Sequence, residues 1–460
     1  MFPGCTLSFP DFCIFGKTNV NKTMSDRRTF LKNTAFATAG LAAFPTILRG
    51  RGVAPSDTIT VGLIGCKGQG WSNLKAFLGQ PGVVCAALCD VDRNVLEERA
   101  ADVEKLAGYR PVLYGDFRKL LEQKDIDAVI VATPDHWHCI PMVYACQAGK
   151  DVFCEKPLAN TIEECNVMVK ATQRYNRVVQ VNQWQRSDPH WKDAVDYVHS
   201  GALGRVRSVR AWSYVGWKGS IPVVPDEPVP AGVDYDMWLG PAPLRPFNKN
   251  RFHFTFRWYW DYAGGLMTDW GVHLLDYALF GMNQYVPQSV MATGGKYAFP
   301  DDAMETPDTL MAMYDFGDFG LLWDHTIGIY GANYGRGHGV AFIGEYGTLV
   351  VDRSGWEVLP ETGSFSANKD FVKVPLQKST GMGLELHVKN FLDCIKTREK
   401  PACDIETGAH IARIAHLGNI SYRLGRKVFW DHDKQQFIKD RKADELVQAH
   451  YRRPWVLPKV

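Results

Sequence analysis

Behind the glycine pair Gly264-Gly265, the residues Asp269, His273 and Asp276 stand at i, i+4 and i+7. A helix entered at those glycines would carry three titratable side chains on one face. A histidine whose second ring nitrogen is held by a carboxylate one turn away is a fixed, basic imidazole, suited to removing a proton near neutral pH. A surface helix with a solvated polar stripe has the same spacing, so the pattern by itself leaves both readings open. What tilts it is a second cluster, Cys154-Glu155-Lys156-Pro157, placed after a short apolar run in a nucleotide-binding context.

That context begins at Asp57 and runs to Gly70, a β-branched, nearly continuous apolar stretch that ends in glycines. A strand of this kind is buried on both faces and implies a parallel sheet covered by helices. The helix expected from Trp71 to Leu78 would present its first N–H groups to a pyrophosphate, which makes Gly65, Lys67, Gly68, Gln69 and Gly70 the expected phosphate-side residues. A second strand, Val83 to Leu88, ends in Asp90. An acid about twenty residues past the glycines takes the ribose hydroxyls of NAD and repels a 2′-phosphate, so NAD is expected over NADP. In G-x-G-x-x-G the glycines would fall at 65, 67 and 70, yet position 67 is Lys with Gly68 beside it. The expected role of that ammonium is to meet the phosphates.

Strand and helix continue to alternate: a helix from Val95 to Gly108, a strand from Asp127 to Ala132, a helix from His138 to Ala148, and a strand from Asp151 to Cys154. Thr161-Ile162-Glu163-Glu164 is a capping box that opens a helix to Tyr175, and Arg177 to Val181 reads as a further strand. The fold class is therefore α/β, a doubly wound parallel sheet whose ligands sit beyond the carboxyl ends of its strands. That rule puts Thr133, Pro134, Asp135, His136 and His138 on one strand-end loop and Glu155-Lys156-Pro157 on the next. Thr133, His138, Glu155 and Lys156 are expected cofactor contacts, with local packing at a helix start as the other reading of His138.

Past Val181 the pattern changes to long alternating strands, among them Arg205 to Tyr214, Ser289 to Tyr297, Thr309 to Tyr314 and Gly320 to Thr326. They predict an α+β domain on a large open, mostly antiparallel sheet, a plausible surface for homo-oligomers. The expected division is 1–56 for an extension and signal, 57–181 for the nucleotide-binding domain, and 182–460 for the substrate and oligomerisation domain. An aromatic insert, Trp212 to Trp217 and Trp238 to Trp260, carries Arg245, Arg251 and Arg257. Aromatic faces stack on sugar rings and arginines bond hydroxyls, which nominates Arg257, Trp260 and Asp276 for the substrate. Core packing accounts equally for so many aromatics.

At 460 residues the chain has room for about two domains. Its formal charge of +2 argues against a nucleic-acid partner. The eleven cysteines fall mostly inside apolar runs with no Cys-x-x-Cys pair, so neither a disulfide framework nor a metal site is expected. Arg27-Arg28 ahead of the modest apolar run Thr34 to Leu48 fits a twin-arginine export signal and an exported, periplasmic protein. That run, broken by Gly40 and Pro45, is too short for a stable membrane span, and the residues before Met24 read as an upstream extension.

The glycine turn, Thr133-Pro134 with His138, Glu155-Lys156-Pro157, and Asp269-x-x-x-His273 with Asp276 together resemble the glucose-fructose oxidoreductase and inositol dehydrogenase family (Gfo/Idh/MocA). The likeness runs from about Thr58 to the helices near Leu384 to Lys396. The resemblance implies a Rossmann domain, an open-sheet domain, and NAD(P)-dependent oxidation of a sugar or cyclitol hydroxyl or reduction of the matching ketone. Carried over by position, Lys156 would bond the nicotinamide ribose and the reacting oxygen, His273 would be the acid/base, and Asp269 would orient it or the substrate. An exported enzyme of this kind would carry a tightly held NAD. Two rivals remain: an NAD-dependent glycoside-cleaving enzyme working by transient oxidation and elimination, with His136 or His253 as extra base, and a non-catalytic sugar-binding protein.

Overall fold

The computed structural model describes residues 58–331, 333–362 and 371–460. The paired arginines, their apolar run and Met24 lie outside the described residues. The first sheet contains β1 (Ile59–Ile64), β2 (Val83–Cys89), β3 (Val112–Tyr114), β4 (Ala128–Val131), β5 (Asp151–Cys154) and β6 (Val179–Val181), in the order β3-β2-β1-β4-β5-β6. All five pairings are parallel. Helices α1 (Gln69–Leu78), α2 (Arg93–Ala107), α3 (Phe117–Leu121), α4 (Cys139–Gln147) and α5 (Ile162–Tyr175) link them. The order reverses between β1 and β4, and there, past the carboxyl ends, a doubly wound sheet opens a crevice.

Burial on both faces explains the unbroken apolar strands. Ala128 and Ile130 of β4 enter one core, with Leu74 and Phe77 of α1, while Val129 and Val131 enter the other, with Ile140 and Val143 of α4. Thr161 and Glu164 close the capping box at α5 as their spacing predicts.

The second sheet is fed by α6 (Pro189–His199) and contains β7 (Ser208–Val215) and, after α7 (Tyr235–Leu239) and α8 (Val272–Met282), β8 (Ser289–Gly295), β9 (Thr309–Asp315), β10 (Gly320–Ile327), β11 (His338–Ile343), β12 (Gly347–Asp352), β13 (Gly355–Pro360) and β14 (Val374–Lys378). Beyond α9 (Gly383–Thr397) and α10 (Ile405–Leu424), the strands β15 (Val428–Asp431) and β16 (Gln436–Phe437) complete its edge, and α11 (Arg441–Glu445) follows. Its order is β14-β13-β12-β11-β7-β10-β9-β8-β15-β16, with β7 and β10 its parallel pair.

From within the span 182–460, α9 returns to the first sheet and buries Val388, Phe391 and Leu392 against it. Phe391 meets Phe77 at 6.0 Å and Phe153 at 5.6 Å, ring to ring. The aromatic insert is largely a core of its own: Tyr235, Trp238, Phe247, Phe252, Trp258 and Tyr262 bury one another. Arg245 is taken up by Asp261 and Glu305, and Arg251 by Asp226.

Candidate active site

The cleft opens at the reversal point and has a volume of about 670 Å³. Its phosphate side is dictated by two glycines. At Gly65, φ is +89° and a Cβ would stand 2.5 Å from Ala132 O; at Gly70 a Cβ would stand 1.9 Å from Gly65 O. Only with both positions free of side chains can the backbone fold this tightly and aim the start of α1 into the cleft, the geometry a pyrophosphate requires. Gly68 caps α1 with φ +48°, and Lys67 and Gln69 are exposed along the cleft wall. Asp90 lines the cleft at the end of β2, its Oδ2 accepting from Cys66 N at 2.8 Å and its Oδ1 from Asp92 N at 3.0 Å. These residues fit a dinucleotide with a free ribose 2′-hydroxyl.

Thr133 and Asp135 stand past β4, and Glu155 and Lys156 past β5; all four line the cleft. Glu155 is buried, and its Oε1 accepts from Asn73 Nδ2 at 2.8 Å and Asn182 Nδ2 at 2.6 Å while Oε2 accepts from Lys156 N at 3.0 Å. The carboxylate thereby pins the turn that presents Lys156. His138 does not reach the cleft. Its ring nitrogens lie 2.7 Å from Pro157 O and 2.8 Å from Thr133 O, so it ties the two strand-end loops together, and local packing is the correct reading.

Lys156 Nζ donates to Asp269 Oδ1 at 2.7 Å and to Asp269 O at 3.0 Å. Arg257 Nε donates to the same Oδ1 at 3.3 Å, its guanidinium lying over Phe254 and Phe256. Burial raises the Asp269 carboxyl, but Lys156 and Arg257 outweigh it and hold the group well below the usual carboxylate range. His273 follows one turn on, at 7% exposure, with Nδ1 buried and without a hydrogen-bond partner among the described residues. Burial first, then Lys156 and Arg353, hold its pKa well below the ordinary histidine value, so the ring is neutral at pH 7. The expected carboxylate–imidazole bond is therefore corrected: Asp269 serves the two cations. The chain winds as a π-helical turn over Met267–Gly271 before α8, which takes Asp269 off the regular helical stripe.

Asp276 is fully buried and receives Arg186 Nε at 2.8 Å and Nη2 at 2.5 Å, a core ion pair and not a substrate contact. Trp260 donates from its backbone to Glu305 Oε2 at 3.0 Å and from Nε1 to Glu305 O at 3.2 Å, outside the cleft lining. Arg257 lines the cleft as expected. Of the extra histidines, His136 is buried with Nε2 3.1 Å from Trp238 O, and His253 meets Asp92 at 3.1 Å near β2. His253 lines the cleft and His136 does not.

Asp135 lines the cleft near Lys156 and Arg257, on the strand-end loop where the sequence places it, though the sequence alone gives it no chemical role. Burial raises its carboxyl to about 8 against the pull of Arg257 and Lys156. A larger cavity, about 750 Å³, opens at the opposite ends of the strands around Asp127 and Lys150, with Lys150 Nζ donating to Ile126 O at 2.9 Å. Ligands of doubly wound sheets bind at the carboxyl ends, so the smaller cleft is the one with the chemistry.

Residues 59–183 match the family described as oxidoreductase family, NAD-binding Rossmann fold, and residues 192–321 and 379–457 match its C-terminal alpha/beta domain. Among curated proteins, a glycosyl hydrolase family 109 protein of Shewanella putrefaciens is 34% identical over 169 residues, 32% of this chain and 37% of the relative. An alpha-N-acetylgalactosaminidase of Shewanella oneidensis is 31% identical over the same shares. The matched stretch thus spans only 37% of the length of these relatives. In fold, the chain is similar to levoglucosan dehydrogenase in complex with NADH, at TM-score 0.63 and 20% identity over 81% of this chain and 99% of that one. It is also similar to aldose-aldose oxidoreductase from Caulobacter crescentus complexed with glycerol, at TM-score 0.59 and 19% identity over 81% and 100%. With both domains matching in order around the glycine turn, the chain belongs to the Gfo/Idh/MocA family of NAD-binding oxidoreductases.

Proposed function

We propose that this protein oxidises a secondary hydroxyl of a sugar, glycoside or cyclitol, or reduces the matching ketone, with NAD. The observation that carries this reading is Lys156 Nζ, fixed 2.7 Å from Asp269 at the cleft wall, with the neutral imidazole of His273 one turn on. Bound NAD supplies the hydride acceptor. Lys156 donates to the reacting oxygen and stabilises its developing charge, and Asp269 aims the ammonium. His273 takes the hydroxyl proton, and Arg257 bonds a neighbouring hydroxyl. Lys156→Ala and His273→Ala are each expected to cut turnover by roughly 10²- to 10⁴-fold, the scale of lost acid–base help, with NAD still bound. The measurement is nicotinamide absorbance against a panel of sugars and cyclitols; undiminished turnover in His273→Ala would remove the mechanism.

A second reading, cleavage of a glycoside by transient oxidation and elimination, is favoured by Asp135, a further titratable group at the same cleft. Elimination also needs a proton for the departing oxygen, and the Asp135 carboxyl, protonated below about pH 8, can supply it beside Lys156. Aglycone release from a chromogenic glycoside without net NADH separates the two readings. A sugar-binding protein without catalysis would give neither signal.

We also propose export through the twin-arginine route and a tightly held NAD. Main-chain bonds from Arg93 N to Gly232 O and from Asp234 N to Val91 O, both 2.9 Å, fasten the aromatic insert across the β2 end of the cleft and support retention. Among the described residues no helix is long and apolar enough to cross a membrane.

A further inference from the structure

Arg353 stands at the tip of the hairpin between β12 and β13. Among the described residues its guanidinium has no hydrogen-bond or ion-pair partner, although it lies over two indoles, 5.2 Å from the Trp184 ring and 4.6 Å from the Trp270 ring. Stacking uses the faces of the guanidinium and leaves five N–H donors free at its edges. The tip is held in place. Asp352 Oδ1 accepts from Ser354 N at 2.8 Å, Gly355 N at 3.2 Å and Arg336 Nη1 at 2.9 Å. Trp184 is fixed as well, since it fills the space beside Gly383, where a Cβ would stand 2.4 Å from the indole.

The other indole, Trp270, lies between Asp269 and His273 in sequence, with its ring 6.5 Å from His273 and 5.0 Å from His338. Among the described residues, His273 Nδ1 and His338 Nε2 are both buried without a hydrogen-bond partner. Two orphaned imidazole nitrogens and an unpaired guanidinium therefore surround one tryptophan at the edge of the catalytic group. Charge points the same way: Lys156, Arg257 and Arg353 stand against the carboxyls of Asp269 and Asp135. The Arg353 guanidinium feels Asp269 and helps to hold His273 and His338 uncharged.

We infer that Arg353, flanked by Trp184 and Trp270, binds an anionic group of the substrate, a carboxylate or a phosphate on the sugar, while the secondary alcohol meets Lys156 and His273. The planar fork of a guanidinium matches either group bidentately. The inference rests on the proposed dehydrogenase reading for the position of the alcohol, and on its own geometry for the anion.

Tryptophan fluorescence of the purified holoprotein, titrated with D-glucose, D-glucuronate and D-glucose 6-phosphate, tests it without requiring turnover. The wild type is expected to bind one of the two acids at least about tenfold more tightly than glucose. Whichever acid is preferred identifies the group. Arg353→Gln is expected to reduce that preference by about tenfold to hundredfold, and Arg353→Lys to restore part of it, because the charge returns without the fork. Equal binding of glucose and both acids by the wild type would overturn the inference, as would a preference that survives in Arg353→Gln or the absence of saturable binding by either acid. Nicotinamide reduction, followed in the same samples, reports on the dehydrogenase reading separately: an Arg353-dependent acid preference with no reduction would sink that reading and leave the anion site standing.

Discussion

Lys156 and Asp269 are 13% and 15% exposed in their side chains, so their ion pair is largely shielded from solvent. At that depth Lys156 and Arg257 hold the Asp269 carboxyl ionised, while Asp135 beside them is shifted the other way. Its carboxyl is raised from 3.8 to about 8, chiefly by burial. Between those values the folded protein holds a proton that the unfolded chain has released. The stability this adds is complete below pH 3.8 and is lost as pH rises through about 8. Asp135→Asn keeps the shape and removes the titration, so the wild-type Tm is expected to fall relative to the variant between about pH 4 and 8. Thermal melts of both proteins across that range check it, and parallel curves would refute the buried neutral acid. Lys156, Asp269 and His273 were legible in the sequence because ionisable residues interrupt otherwise apolar segments there. Asp135 and Arg353 were not, since their character comes from burial and from indoles distant in sequence. Asp276 was misread because its partner, Arg186, lies 90 residues away and no local spacing reveals it.

At the scale of elements, the tight glycine turn and the π-helical turn do the positioning. The first sends α1 at the cleft, and its requirement falls on Gly70, where a methyl group would collide with Gly65 O. Gly70→Ala is expected to lose the dinucleotide, while the wild type keeps it through extensive dialysis. Mass and absorbance of the purified proteins measure both; a cofactor-free, reactivatable wild type would refute retention, and a loaded Gly70→Ala would refute the role of the turn. The strands, the capping box at α5 and the glycine turn were legible because each follows from local periodicity or backbone sterics. The return of α9 to the first sheet was not, since its apolar face reads the same whichever sheet it covers. The widened turn over Met267–Gly271 carries no residue signature that separates it from an α-helix.

Across the whole molecule, the second sheet packs one face under helices, while its other face buries Trp212, Ala341 and Val350 around β7, β11 and β12 and is exposed along β8 and β9. There β8 and β9 bring Met291 opposite Met313 and Thr293 opposite Met311, and Met291, Met311 and Met313 are 44%, 48% and 50% exposed. Phe429 of β15 extends the same row beside Ser289 at 47% exposure. Scattered exposed apolar residues are ordinary, but a contiguous methionine patch on a broad sheet is the kind of surface that proteins cover. The expected partner is a second copy of the chain, since a twofold pair buries one and the same patch on both subunits. Met313→Glu would place a charge with no partner inside that contact, raising the concentration of half-dissociation by about a hundredfold or more, on the scale of an uncompensated buried charge. Light scattering behind a sizing column is expected to find an oligomer for the wild type and a monomer for Met313→Glu at micromolar protein. A wild type that is already monomeric there, or a variant with unchanged mass, would leave the methionine face without the partner assigned to it. Met313 is not among the residues that line the cleft, so NAD content is expected to be equal in the two proteins, which separates loss of assembly from loss of fold.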